Sequence, residues 1–188
     1  MKISRQRAFD YFILAARISL AYTLIKYGQA KLTGGQFGVS PEELNTPLKD
    51  LSLFRLSWYL ADHEPFKSFI GICQIITAGL LLYSRTCIMG ALMSIPIWLN
   101  ILVWDMTFMG LLTPFVIRIP YYLLLTFLIL WHYREKLFPA LHSCTEGMAT
   151  RYVYPLWAWL VLPLAAFCVD LASAPLMAAF YFLKVMMR

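Results

Sequence analysis

Arg17, Lys26, Asp105, Arg118 and Asp170 are charged groups set inside, or at the edges of, long apolar runs, and Asn100 is an amide in the same setting. A charged side chain at the centre of a bilayer costs at least ~2.5–3.5 kcal/mol, so each must face a partner, a cavity or the interface. Lys26 ends the first run, Asp105 lies near the outer end of the third, and Arg118 begins the fourth from that side. Asp170 falls on the outer part of the last, and Asn100 sits one turn after Pro96, which weakens local helix bonding. Two bases facing two acids permit two readings: pairing between helices, or a cleft for a small polar or amphipathic ligand. Arg17 lies roughly 10 Å into the first run, measured from Asp10 at the helical rise. It either snorkels to lipid phosphate or turns inward to hold an anionic headgroup, a quinone carbonyl or a carboxylate on another subunit.

The elements that position these groups are helices. Apolar stretches run over residues 9–27, 66–83, 87–109, 116–131 and 154–176, each near the length that crosses a hydrocarbon core of ~30 Å. In lipid the backbone must bond to itself, so the expected class is all-α: a polytopic transmembrane bundle with a kinked or broken C-terminal helix. The chain is 61% hydrophobic and 14% charged, with mean hydropathy +0.66, against about 25% charged in soluble domains. One membrane domain over 1–188 is the expected organisation. The net charge of +6 and pI near 9.2 do not signal nucleic acid, because the basic residues flank spans instead of forming a stripe.

Lys2, Arg5 and Arg7 place the N-terminus in the cytoplasm by the positive-inside rule. Arg17 interrupts the first apolar run and no cleavage signal follows, so an uncleaved span is expected. The loop 28–65 then lies outside and the loop 132–152 inside. Within the outer loop, Ser40-Pro41-Glu42-Glu43 reads as a capped helix start. Leu48, Leu51, Arg55 and Trp58 recur at helical spacing, as in an amphipathic helix on the membrane surface. Tyr11, Tyr27, Tyr121, Tyr122, Trp131, Tyr154 and Trp157 read as an interfacial aromatic belt. In the C-terminal segment, Pro163, Asp170 and Pro175 suggest one crossing kinked near Pro163, a break around 170–175 and a short interfacial helix. A hairpin returning to the cytoplasm is the competing arrangement.

Cys73, Cys87, Cys144 and Cys168 form no CxxC pair, and His63, His132 and His142 show no metal-ligand spacing, which argues against dithiol redox chemistry and a metal site. A catalytic set is not expected.

The stretch RISLAY at 17–22, followed by YGQAKLTGGQFG at 27–38, resembles the opening span and loop of DoxX-like membrane proteins. GLLLYSRT at 79–86 and the segment 100–105 extend the likeness. The resemblance implies a four-helix membrane core, with the last segment as an extension, and points to Arg17, Lys31, Asn100 and Asp105. Some DoxX-like proteins are associated with thiosulfate:quinone oxidoreductases, others with membrane complexes that handle oxidative or thiol stress. The expected function is a small subunit of the bacterial cytoplasmic (inner) membrane, acting as scaffold or sensor with a partner protein and not an enzyme by itself. The membrane arm of a quinone-linked redox complex, with quinone bound, is the first alternative; a small-solute carrier or channel is the second. Expected partners are membrane lipids and a protein partner or second copy, with no nucleic acid.

Overall fold

Ser4 caps the first helix by accepting from the Arg7 backbone N–H, and the chain then stays helical over Arg5–Leu32 (α1). In this computed structural model, which describes residues 4–111, 113–147 and 152–187, the order continues with α2 (Pro41–Leu44), a 3-10 turn (Leu48–Asp50), α3 (Leu53–Ala61) and α4 (Phe66–Leu82). After these come α5 (Cys87–Phe108), α6 (Pro114–His132), α7 (Arg134–Thr145), α8 (Leu156–Leu171) and α9 (Ala174–Met186). No strand occurs among the described residues. The protein is an all-α membrane bundle. By length and composition α1, α5 and α6 can each cross a bilayer, and α3 with α4 makes a fourth such unit bent by 84°.

Contacts divide the chain into two compact units, Met1–Ser143 and Cys144–Arg188. In the first, α1 packs against α4 and α6, and α5 packs against the same two helices, closing a ring of four. The shared core includes Leu20 and Leu24 of α1, Leu81 of α4, Trp98 of α5 and Ile119 and Ile129 of α6, all fully buried. Small residues set the spacing. A Cβ on Gly28 would lie 2.7 Å from the Gly71 carbonyl oxygen, and one on Gly90 would lie 2.5 Å from the Leu81 nitrogen. Close backbone approach through small residues replaces the missing hydrophobic drive between helices in lipid.

Several element boundaries move from those expected. The first helix does not stop at Tyr27: Gly28 is a packing glycine, not a breaker, and α1 continues four residues beyond it. The capping box forms as the sequence predicts, with Ser40 and Glu43 bonding each other's backbone N–H. The amphipathic helix beyond it is shorter. Leu48 lies in the 3-10 turn and Leu51 ends it; Ser52 then caps α3, which keeps Arg55 and Trp58. The stretch 132–152 contains a helix, α7. In the second unit α8 carries Pro163 within it and ends at Leu171, and α9 starts at Ala174, so the break falls inside the expected 170–175 window.

Candidate functional site

The two ends of the four-helix ring treat their polar groups differently. At the end where α1 begins and α4 finishes, Arg17 is 4% exposed. Its Nε donates to the Leu81 carbonyl at 3.0 Å, and one terminal nitrogen donates to the Leu82 carbonyl at 3.0 Å and the Ser84 hydroxyl at 3.5 Å. The last carbonyls of a helix have no partner within it. Arg17 supplies that partner and places a positive charge at the negative end of the α4 dipole. It therefore turns inward, and what it holds is its own backbone. Snorkelling is not the geometry observed. Nearby, the His132 ring faces the Asp10 carboxylate at 3.4 Å.

At the opposite end, where α1 finishes beneath the 33–65 segment, the helices part around a cavity of about 1230 Å³. Five of the sequence-predicted residues line it: Lys26, Lys31, Asn100, Asp105 and Arg118. They come from three different helices, and only the ring packing brings them together. Asp170 belongs to the second unit and is exposed, and Arg17 is not among the residues that line the cavity. Of the expected cluster, Lys26, Asp105 and Arg118 share this cavity, joined by Lys31.

Lys31 is the most enclosed of these cations, at 4% exposure. Its ammonium donates to Gln36 Oε1 at 2.9 Å and lies 5.6 and 5.2 Å from the ring centres of Tyr27 and Phe37. Phe37 adopts φ +73°, a left-handed conformation that bulky residues rarely take and that persists only where neighbours enforce it. The neighbours are Lys31, Trp58 at 6.3 Å and Trp104 at 6.5 Å, ring to ring, together with a bond from the Gly38 N–H to the Trp58 carbonyl at 3.1 Å. Gln36 and Phe37 thereby form part of the cavity wall.

Arg118 donates through Nε to the Tyr122 hydroxyl at 2.6 Å. Tyr27 interacts electrostatically with Tyr122, Arg118 and Asp105, and Lys31 with Asp105. Among the described residues, ion pairs within 4.0 Å join Arg55 to Glu43, Lys67 to Asp62 and His132 to Asp10, and none includes a cavity base. In the segment between α1 and α4, hydrogen bonding from Arg55 on α3 holds the carboxyl of Glu43 on α2 down from 4.5 to about 2.

Sequence reasoning missed the group with the strongest unmet demand. Gln74 is 1% exposed, lines the cavity from α4, and neither its amide nitrogen nor its oxygen has a hydrogen-bond partner. The Trp104 indole N–H is also buried without a partner on the same wall. Of the four such buried atoms among the described residues, three belong to cavity-lining side chains; the fourth is in Trp98. Buried polar groups are otherwise nearly always satisfied, and each exception asks for a water, an ion or a ligand. The available signal was an isolated amide in the apolar run of α4. Tyr27 and Tyr122, read as belt anchors, point inward instead: Tyr122 is 4% exposed, and both pack on the buried Trp98 ring.

No family model matches the chain, and no solved structure matches it. A curated relative, an uncharacterized protein YwoB of Bacillus subtilis (strain 168), is 36% identical over 94 residues. That alignment covers 49% of this chain and 59% of the relative.

Proposed function

We propose that this protein is a small ligand-binding membrane subunit, a sensor whose cavity takes an amphipathic molecule and whose occupancy is passed to a partner protein. One observation carries the reading: a cavity of about 1230 Å³ gathers polar groups from all four ring helices onto an otherwise apolar wall. Ligand sites are typically 300–1,000 Å³, apolar, with a few convergent polar groups. A structural pairing role would consume those groups, yet Gln74 and the Trp104 indole remain unpaired. The likeness to DoxX-like proteins supports a subunit role by analogy alone. The same proposal places the chain in a bacterial inner membrane with its N-terminus in the cytoplasm and the cavity on the outer side, supported by Arg5 and Arg7 at the start of α1 and the positive-inside rule.

The test is purification in mild detergent, followed by solvent extraction and protein identification. The expected result is an amphipathic small molecule at roughly one per chain, plus a co-purifying protein. An extract with no small molecule, from protein that also fails to bind added amphiphiles, contradicts the reading. Recovered quinone moves the assignment to the membrane arm of a redox complex. Orientation is checked with single cysteines introduced at Glu43 and Arg134 in a cysteine-free background. An impermeant thiol reagent should label the first in intact cells and spare the second, and the reverse pattern inverts the topology.

A further inference from the structure

The cavity's charge inventory narrows the ligand class, resting on the binding role proposed above. Lys26, Lys31 and Arg118 face Asp105 across one space. Asp105 interacts electrostatically with Lys31, and Lys31 is further held by Gln36 and two aromatic rings. That leaves Lys26 and Arg118 with no carboxylate within 4.0 Å among the described residues. The Lys26 ammonium lies over the Tyr22 ring face, at 5.7 Å from its centre. Arg118 commits Nε to the Tyr122 hydroxyl, an arrangement that fixes the guanidinium plane while leaving its two terminal nitrogens available. A fork of parallel N–H donors matches the two oxygens of a carboxylate or phosphate.

Gln74 supplies the independent observation. A buried amide with neither end satisfied is destabilising unless something polar enters beside it. Its position on the cavity wall defines where a polar head must sit: within the space, not at the rim. Around it the wall is apolar, with Phe66, Phe69 and Ile70 on the same face of α4 and Met93 and Ile97 on α5. A polar head with an apolar chain meets both demands.

We propose that the cavity takes an amphiphile with an oxyanion head, held by the Arg118 guanidinium, with Lys26 as second cation and the Gln74 amide N–H donating to it. The head is a carboxylate or a phosphate; it comes from a free amphiphile or from a phospholipid that reaches in from the bilayer.

The test uses the full chain, purified in a neutral detergent, and follows tryptophan emission and intact-complex mass on titration with three probes of equal chain length: an alkyl carboxylate, the alcohol and the trimethylammonium salt. The carboxylate should bind about tenfold tighter than the alcohol, with the ammonium weakest. R118Q should remove most of that preference while retaining the alcohol affinity, which shows that the variant is folded. R118K should recover charge attraction but not the full preference, because an ammonium cannot reproduce the fork. Q74L should weaken the carboxylate more than the alcohol. Equal affinity for carboxylate and alcohol in the parent protein, or an R118Q variant with the preference intact, overturns the proposal and leaves the binding role standing. Failure of all three probes to bind removes the binding role itself. Embedding in discs of mixed phosphatidylglycerol and phosphatidylcholine separates the sources: Arg118-dependent retention of phosphatidylglycerol upholds the oxyanion assignment with a lipid as donor, and retention of the carboxylate upholds it with a free amphiphile.

Discussion

Arg17 and Arg118 are the same side chain at opposite ends of one four-helix ring, and their surroundings differ in kind. Arg17 commits its Nε and one terminal nitrogen to two backbone carbonyls and a serine hydroxyl at the end of α4. Arg118 spends one donor on Tyr122 and faces a large cavity with the rest. Near the first, the core closes over Leu81, Cys87 and Ile13 with almost no exposure. Around the second, buried polar atoms lie unpaired. The comparison teaches that a cation in an apolar helix is not by itself a sign of function. What separates structure from site is whether the group's hydrogen-bonding capacity is already used.

The comparison is sharpened most strongly by deleting Arg17. Arg17→Met leaves helix-end carbonyls without donors in an apolar setting and removes charge-assisted bonds worth about 1.5–3 kcal/mol each. The expected result is a loss of roughly 3 kcal/mol or more in denaturant unfolding of the detergent-solubilised protein. Below its melting range the variant should keep parent-like amphiphile binding at the other end. Binding lost in a folded Arg17→Met protein would dissolve the division between the two ends.

Packing comes next. Gly90→Ala puts a methyl against the α4 backbone at Leu81, and nothing there is a flexible side-chain tip. Overpacking of this kind typically costs about 1–3 kcal/mol, read as a lowered unfolding midpoint. Gly79→Ala, on the same helix as Leu81 with open space around it, should change the midpoint little. Equal effects from the two would refute close α4–α5 approach.

Lys31→Met probes the wall of the cavity. It removes the bond to Gln36 and the ring contacts that hold Phe37 in its left-handed conformation. Amide hydrogen exchange over residues 33–38 should accelerate, with global stability reduced by only about 1 kcal/mol. Unchanged exchange would show that Trp58 and Trp104 position Phe37 without help.

The smallest effect is at Glu43. Its folded carboxyl sits near 2 against an ordinary 4.5, so the folded state favours the ionised form and the unfolded state binds the proton first. The contribution is present above about 4.5 and disappears as pH falls toward 2, following the linkage between proton uptake and folding. Because the group is exposed to solvent, the consequence should be local. Amide protection across α2, with the intrinsic pH dependence of exchange divided out, should fall as pH drops through that interval and stay constant in Glu43→Gln. A pH-independent profile in the parent would mean that Arg55 does not hold this carboxylate.

How much of this was written in the chain depends on the kind of signal. The crossing helices were legible because an apolar run long enough for a bilayer has few other solutions. The Ser40 capping box was legible because four consecutive residues determine it. The end of α1 was less legible, because the polar residues beyond Tyr27 close the apolar run without ending the helix. The extent of α3 was obscured by Ser52, whose capping role outweighs the apolar spacing from Leu48. The polar cluster was half legible: charges in apolar segments are conspicuous, so Lys26, Asn100, Asp105 and Arg118 were found. Asp170 lies in the second compact unit, a division that depth along an apolar run does not reveal. Gln74 was passed over because an uncharged amide carries little weight in a hydropathy pattern. Its unmet bonds exist only once α1, α4, α5 and α6 are rotated into their ring, and no periodicity in one chain encodes that rotation.

The native cysteines give the most direct test of the central claim that the loop-side cavity binds and the opposite end is closed. Cys73 lines the cavity and is half-buried, whereas Cys87 is 1% exposed near Arg17. In the purified parent protein, a small neutral maleimide mapped by peptide mass should modify Cys73 and spare Cys87. Adding the long-chain carboxylate, or the matching alcohol at higher concentration, should suppress labelling at Cys73 without changing that at exposed Cys144 and Cys168. Cys73 labelling that is indifferent to both amphiphiles, or protection spread equally over all reactive cysteines, would contradict the account.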